Sequence, residues 1–343
     1  MPWGPIRGAD RQVDDLRRAL AAGRMPHAFL LVGPEGVGKR TFARRLAKGL
    51  FCERRPEAEL DPCGLCPSCV QVEAGVHPDL LEVSRPEDKQ DLPIKVIRQL
   101  CADLGLKPMM GTRRMAIVDD ADDLNTEAAN AFLKTLEEPP PGAVLALIAR
   151  EAEGQLDTVV SRCRVLRFDR LSDEDLTEVL IQHSNLAPDE AARLAKLGEG
   201  SVARALGLAD PSWEGFRRRT IDALAAERGF EPGALAGRLG EYVQEAGKEA
   251  SSRRERAALV LGELSRFFRA VLWQTAGLEP PAPDAADRRA AAVLASRLGP
   301  DDVYILADRC LDADYQVGRN ASMPMVLASL CHDLGAVINA GRN

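Results

Sequence analysis

Residues 33–41 read GPEGVGKRT, and this stretch decides the fold. It fits the pattern G-x-x-x-x-G-K, in which glycines let successive backbone amides turn inward around phosphate groups. An apolar run at Ala28 to Val32 precedes it, and the apolar spacing of Thr41 to Phe51 predicts a helix behind it. Strand, loop and helix in this order point the positive end of a helix at a bound phosphate. The segment therefore predicts a phosphate-binding loop of the α/β P-loop class; the alternative is a tight turn that binds nothing.

The residue after the lysine limits what this loop can do. That position usually supplies a hydroxyl to Mg²⁺, but here it is Arg40, and a guanidinium cannot ligate a cation. Thr41 carries a hydroxyl, yet it lies about 100° further round the helix. We therefore expect that ATP or ADP can bind, with poor Mg²⁺-assisted hydrolysis. The residues of this segment predicted to contact nucleotide are Gly33, Gly36, Gly38, Lys39 and Thr41.

A second acidic motif follows another apolar run, MAIVDD at residues 115–120. In P-loop ATPases the first carboxylate of such a pair holds the water shell of the metal, and the second orients the attacking water. Asp119 fits the first position. Asp120 fits the second, where ring-forming ATPases usually carry the longer Glu. The alternative is that both acids cap the next helix.

Strands alternate with helices as far as about residue 171, which predicts a parallel sheet covered on both faces. The pattern predicts strands at 28–32, 80–83, 114–118, 143–149 and 165–168, and helices at 10–23, 41–51, 94–104 and 125–138. Beyond that point we expect helices only, the first three at 172–183, 188–198 and 201–209.

Composition describes a soluble globular chain of 343 residues, with 45% hydrophobic residues, 28% charged residues and a net charge of −7. An acidic balance argues against extensive direct contact with nucleic acid. The N-terminal residues lack the pattern of a secretory signal, and no apolar run approaches the roughly 18 residues of a membrane span. We expect a cytoplasmic protein that does not contact a membrane.

Four of the eight cysteines crowd into one segment. Closely spaced thiolates on turns suit the tetrahedral coordination of Zn²⁺, and four of them leave no open position, which indicates a structural site. His77 is a conceivable substitute ligand, and free thiols or disulfides are the alternatives. The predicted ligands are Cys52, Cys63, Cys66 and Cys69.

The order of these motifs resembles the bacterial clamp-loader subunits of DNA polymerase III. It runs from the phosphate loop through the cysteine segment and Asp119-Asp120 to NAFLKTLEEPP at 130–140 and Ser161-Arg162-Cys163. The resemblance covers roughly residues 5–210. It implies an AAA+ P-loop domain at 1–170 with a zinc module at about 52–69, a helical lid domain at 171–210 and an all-helical collar domain at 211–343.

Departures from the family pattern favour its non-motor, delta-prime type. Arg40 replaces the metal-binding hydroxyl, Asp120 replaces the catalytic Glu, and Ile148-Ala149-Arg150 lacks the usual polar sensor residue. The resemblance then implies a heteropentamer with gamma/tau and delta subunits that loads a sliding clamp onto primer–template DNA. The alternatives are a gamma/tau-type motor that hydrolyses ATP, and a zinc-stabilised scaffold or DNA-binding module with a vestigial P-loop.

Two arginines take roles by the same resemblance. Arg162 would act in trans as an arginine finger on a neighbour's ATP, for which a planar and permanently charged guanidinium is suited. Arg204 resembles the second-sensor arginine of the lid. The alternatives are a surface arginine or a strand-edge salt bridge for Arg162, and an ordinary exposed helix residue for Arg204. Glu137 and Glu138 are expected on a solvated or interface face. A surface loop is expected at Met109, Met110, Arg113 and Arg114, and the alternative is that these residues help to bind DNA or a partner.

Overall fold

The computed structural model describes residues 6–86, 89, 91–184, 186–226, 229–280, 285–319 and 321–340. It divides into two compact units, residues 1–206 and 207–343. The predicted lid segment therefore falls largely within the first unit, and the three-domain division stays a prediction.

The first unit contains a parallel five-stranded sheet in the order β2-β3-β4-β1-β5. The three inner strands β3, β4 and β1 are buried at every position, as parallel strands covered on both faces usually are, whereas the edge strands β2 and β5 are only partly buried. The strands are β1 (Ala28–Val32), β2 (Leu80–Val83), β3 (Arg114–Val118), β4 (Ala143–Ala149) and β5 (Arg164–Arg167).

Helices cover both faces of this sheet, and alternate residues of each strand enter different cores. Phe29 and Leu31 pack with Phe42 and Leu46 on one face, while Leu30 packs with the helices on the other. Loss of one buried phenylalanine from such a core costs about 3–5 kcal/mol of folding free energy. The helices of the sheet region are α1 (Asp10–Ala21), α2 (Lys39–Leu50), α3 (Pro67–Glu73), α4 (Ile94–Leu104), α5 (Thr126–Glu137) and α6 (Asp157–Val160).

Local sequence explains where α5 begins. The side chain of Asn125 accepts a hydrogen bond from the backbone N–H of Ala128 at 2.9 Å, which satisfies one of the free donors at the helix start. Leu136 is buried near the other end, so the position of the last turn is fixed by the core.

Three helices follow the sheet, in agreement with the sequence pattern. They are α7 (Asp173–Ser184), α8 (Pro188–Gly198) and α9 (Val202–Leu208). Leu176 and Leu180 of α7 and Leu194 of α8 are buried, so these helices pack through an apolar stripe.

The second unit is helical throughout its described residues. Phe216 and Tyr242 stack with ring centroids 3.8 Å apart, and Arg217 is buried between the carboxylates of Glu263 and Asp287. Removing one member of such a buried charge network leaves an uncompensated charge. The helices are α10 (Trp213–Leu224), α11 (Pro232–Gln244), α12 (Ala250–Thr275), α13 (Ala285–Ala295), α14 (Pro300–Gly318) and α15 (Met323–Ala340).

By length and composition alone, α15 is apolar enough to cross a membrane, with a mean hydropathy of 1.3 over 18 residues. The sequence was expected to contain no such segment. Leu327, Leu330 and Leu334 of this helix are nevertheless buried within the unit. Burial of one face is the property of a core helix in a soluble protein.

Candidate functional site

The predicted nucleotide residues meet at the carboxyl edge of the sheet. The phosphate loop follows β1, Asp119 follows β3 and Arg150 follows β4. Val32 pairs with Ala149 in the sheet register, so the two strands end side by side. Ligands of open α/β sheets bind at this edge, which makes it the candidate nucleotide site.

Glycines shape the phosphate loop as the sequence predicts. Gly36 has a φ of 77° and Gly38 a φ of 93°, conformations that side chains rarely adopt. A Cβ atom at Gly36 would lie 2.1 Å from Oγ of Ser201, and the backbone N–H of Val202 donates to the Gly36 carbonyl at 2.9 Å. The start of α9 therefore packs directly on the loop, at a position where only glycine fits.

Lys39 is folded against its own loop. Its ammonium group donates to the carbonyl of Pro34 at 2.7 Å and to that of Gly33, and the residue is 8% exposed. Burial lowers the pKa of Lys39, while the nearby carboxylate of Glu35 opposes that shift. A bound phosphate would have to replace these carbonyl oxygens as partner of the ammonium group.

Arg40 faces the carboxylate that the sequence assigns to the metal. Its Nη1 lies 3.4 Å from Oδ2 of Asp119, and its Nη2 lies 3.1 Å from Oε2 of Glu82. Arg44 holds the same Glu82 through two hydrogen bonds of 2.8 and 2.7 Å. A guanidinium thus lies next to the carboxylate around which P-loop ATPases place the water shell of Mg²⁺.

The charges around Asp119 shift its pKa in opposite directions. Burial raises the pKa of Asp119, the neighbouring Asp120 raises it further, and Arg40 lowers it. Asp120 itself lies in the left-handed region with a φ of 55°, an uncommon conformation for a residue with a side chain. Its carboxylate accepts the backbone N–H of Arg85 at 3.4 Å, so it is engaged beside the motif.

Arg204 and Thr41 were also predicted to contact nucleotide. Nε of Arg204 donates to the carbonyl of Leu197 at the end of α8, at 3.1 Å. The contact between this helix and the phosphate loop is made by Ser201 and Val202. Thr41 is exposed on α2, one residue beyond Arg40.

The four predicted zinc ligands come together. The sulfur atoms of Cys52, Cys63, Cys66 and Cys69 all lie within 4.8 Å of one another, and these four residues could hold a metal ion. Four thiolates around Zn²⁺ at bonds of about 2.3 Å would sit about 3.8 Å apart, close to the 4.0 Å between Cys63 and Cys69.

Backbone amides point at these sulfur atoms. The N–H groups of Leu65 and Cys66 both donate to the sulfur of Cys63, at 3.5 and 3.4 Å. The bond from Leu65 is the main cause that lowers the pKa of Cys63 to about 6, whereas burial raises that of Cys69 to about 12. The expectation that all ligands lie on turns was wrong, because Pro67 begins α3 and Cys69 lies inside this helix.

Two of the alternatives for the cysteine segment, His77 as a ligand and a disulfide between Cys63 and Cys69, do not fit the geometry. His77 stacks on Phe51, and its Nδ1 accepts the backbone N–H of Asp79, so it is not part of the sulfur cluster. The 4.0 Å between the sulfur atoms of Cys63 and Cys69 is about twice a disulfide bond. All four cysteines are free thiols in this structure.

Arg162 lies on the surface of the first unit, away from the phosphate loop in sequence. Its side chain is 35% exposed and is paired with Glu137 at the end of α5. Its Nη1 also donates to the carbonyl of Thr158 at 2.9 Å, at the end of the short helix α6. Burial raises the pKa of the adjacent Cys163 to about 12, so this cysteine contributes packing.

Comparison with known proteins finds similarity to subunits of DNA polymerase III. Residues 8–172 match the sequence model of the family described as DNA polymerase III, delta subunit. That match covers a little under half of this chain. It is 33% identical to the tau subunit of Escherichia coli over 218 residues, which is 61% of this chain and 33% of tau.

A second clamp-loader relative is the delta' subunit of Bacillus subtilis, 33% identical over 193 residues. That alignment covers 56% of each chain, so this chain spans between about a third and about half of the length of these curated relatives. A gamma subunit-related protein of Thermotoga maritima has a solved structure that aligns with 95% of this chain and 99% of its own, at a TM-score of 0.47 and 18% identity.

Three residues with contacts at the candidate sites were not predicted as site residues from the sequence. Glu82 reads as an ordinary strand residue, Ser201 as part of a helix start, and Glu137 as a solvated charge. Each of them contacts a residue that is distant in sequence, and no local sequence pattern predicts which residue that is. The surface-loop prediction for residues 109–114 was wrong for Arg114, which is 6% exposed on β3 and donates to the carbonyl of Asp103.

Proposed function

We propose that this chain is a non-motor, delta-prime-type subunit of a replicative clamp loader. Its own P-loop does not hydrolyse ATP, and it donates Arg162 to the ATP site of a neighbouring gamma/tau-type subunit. The observation that carries this proposal is the ion pair between Arg40 and Asp119.

That ion pair matters because the metal site of a P-loop ATPase needs a hydroxyl and a carboxylate free to orient Mg²⁺ and its water. Here the hydroxyl is replaced by a cation, and that cation lies against the carboxylate. A second cation at the same carboxylate would be repelled by the first. Nucleotide phosphates could still contact Lys39 and the loop amides. The site would not, however, hold the Mg²⁺ that hydrolysis requires.

Arg162 is suited to contact ATP that is bound by a neighbouring subunit. An arginine supplied in trans stabilises the charge that develops on the transferred phosphoryl group. Its partial exposure and its distance in sequence from the phosphate loop support a role toward another subunit. In a heteropentamer with gamma/tau and delta subunits, Arg162 would couple ATP hydrolysis in the neighbouring subunit to loading of a sliding clamp on primed DNA.

The cysteine cluster supports a zinc ion as structural cofactor. Zn²⁺ would be held by Cys52, Cys63, Cys66 and Cys69, and its role would be to fix the loop between α2 and α3. With four protein ligands there is no position for a substrate. Such a subunit would work in the cytoplasm, with its partner subunits.

The proposal is tested by ATP turnover of the isolated chain, alone and with primed DNA and sliding clamp. We expect turnover no greater than that of a Lys39→Ala control. Hydrolysis that depends on Lys39 would instead assign the chain to the motor type. Failure to associate with gamma/tau and delta subunits in a reconstitution would favour a free-standing zinc scaffold.

A further inference from the structure

The guanidinium of Arg162 is held from two sides. Glu137 accepts a hydrogen bond from Nε at 2.9 Å, and the same carboxylate oxygen forms an ion pair with Nη2 at 2.5 Å. On the other side, Nη1 donates to the carbonyl of Thr158 at 2.9 Å and to the hydroxyl of Ser161 at 3.2 Å. The side chain is therefore oriented before any partner subunit is present.

These contacts use particular edges of the guanidinium. One oxygen of Glu137 bridges the Nε–Nη2 edge, and no described residue bridges the Nη1–Nη2 edge. A guanidinium presents its N–H groups in a rigid planar fork, and each edge can grip two oxygen atoms of a phosphate. Glu137 holds the Nε–Nη2 edge, so a phosphate outside the chain would bind at Nη1 and Nη2 and replace the neutral oxygens of Thr158 and Ser161 as partners of Nη1.

Both anchors of Arg162 are fixed by the core. Glu137 ends α5, next to Leu136, which is 1% exposed. Val159 of α6 is also 1% exposed, and Cys163 packs against the same buried cluster. The backbone on either side of the ion pair is therefore rigid, and the long arginine side chain is the one mobile part that needs support.

We propose that Glu137 is a positioning residue that orients Arg162 toward the phosphate of a neighbouring subunit. The inference rests on the proposed role of Arg162 in trans. In the isolated chain Glu137 and Arg162 are 50% and 35% exposed, and an ion pair of that exposure contributes about 0–1 kcal/mol to folding. Its function is to fix a direction, because a misplacement of about 1 Å at a reacting centre can cost about a hundredfold in rate.

The experiment measures steady-state ATPase of the clamp loader reconstituted with gamma/tau-type and delta-type subunits, per assembled complex. Glu137→Ala should lower kcat by about tenfold with KM for ATP unchanged, since loss of an orienting partner typically costs about 10- to 100-fold in activity. Glu137→Gln keeps an oxygen acceptor but loses the charge, so its kcat should lie between that of the unaltered complex and that of Glu137→Ala. Glu138→Ala is the matched control, because Glu138 is the next exposed carboxylate and forms no ion pair among the described residues.

A double substitution separates this inference from the function on which it rests. If Glu137 acts through Arg162, the variant with both Glu137→Ala and Arg162→Ala has the kcat of Arg162→Ala alone. Full activity of Glu137→Ala beside a defective Arg162→Ala overturns the positioning role only. Full activity of Arg162→Ala overturns the role in trans and the inference with it, and a double variant well below Arg162→Ala shows that Glu137 acts independently of the arginine.

Discussion

Arg40→Thr removes a guanidinium from the front of Asp119 and restores a hydroxyl at the residue after Lys39. In the structure Nη1 of Arg40 lies 3.4 Å from the carboxylate of Asp119. At that separation the Coulomb energy is about 1 kcal/mol in water and about 5 kcal/mol at an effective dielectric constant of about 20. The Arg40 side chain is 49% exposed, so the lower part of that range applies.

Mg²⁺ must displace this pair before it can use Asp119. Removal of Arg40 should therefore favour metal binding by about 1–2 kcal/mol, which is roughly tenfold in the metal-dependent part of nucleotide affinity. The restored hydroxyl adds a ligand and acts in the same direction.

The assay is an equilibrium titration of a fluorescent ADP analogue, in buffer containing either Mg²⁺ or a chelator. The unaltered protein should bind with the same affinity in both buffers, and Arg40→Thr should bind roughly tenfold more tightly with Mg²⁺. Arg44→Thr is the matched control, because Arg44 also bonds Glu82 but has no ion pair with Asp119. The reasoning is refuted if the unaltered and Arg40→Thr proteins respond to Mg²⁺ alike.

Two further outcomes follow from the same region of the chain. Metal analysis of protein purified under reducing conditions should find about one zinc per chain, and Cys66→Ser should lose it and lower Tm; protein free of zinc would contradict the site. The pKa of Glu82 is lowered because the hydrogen bonds from Arg44 and Arg40 outweigh the burial that raises it. Its contribution to stability is thus present above its ordinary pKa of 4.5 and is lost as pH falls through the lowered value. Glu82→Gln should lower Tm at neutral pH and give a shallower fall of Tm in acid, and parallel curves for the two proteins would count against this.

The strands of the sheet could be predicted because their signal is local. Ala28–Val32, Arg114–Val118 and Ala143–Ala149 are buried at almost every position, and a continuous apolar run records that burial directly. The helix α3 could not be predicted in this way. Its short sequence is dominated by cysteines, whose spacing reports ligand geometry and not helical periodicity.

The candidate site was predictable in its residue types but not in its pairings. The replacement of a hydroxyl by Arg40 is visible in the sequence, whereas its contact with Glu82 joins α2 to β2 across the fold. Arg162 was recognised by resemblance, while its partner Glu137 lies on an exposed helix face, where charges usually have no special role. Pairings of this kind depend on which strands and helices become neighbours, and a single sequence does not record that.

We propose that this chain acts on ATP that it does not itself hydrolyse. The most direct test is the ATPase of a reconstituted complex that contains Arg162→Ala, with Arg167→Ala as a control, since Arg167 is also an exposed arginine of this region. Loss of an arginine supplied in trans typically costs about a thousandfold or more at the site it serves. The account predicts a large fall in turnover for Arg162→Ala with normal assembly and normal turnover for the control. Equal turnover in the two variants would contradict it.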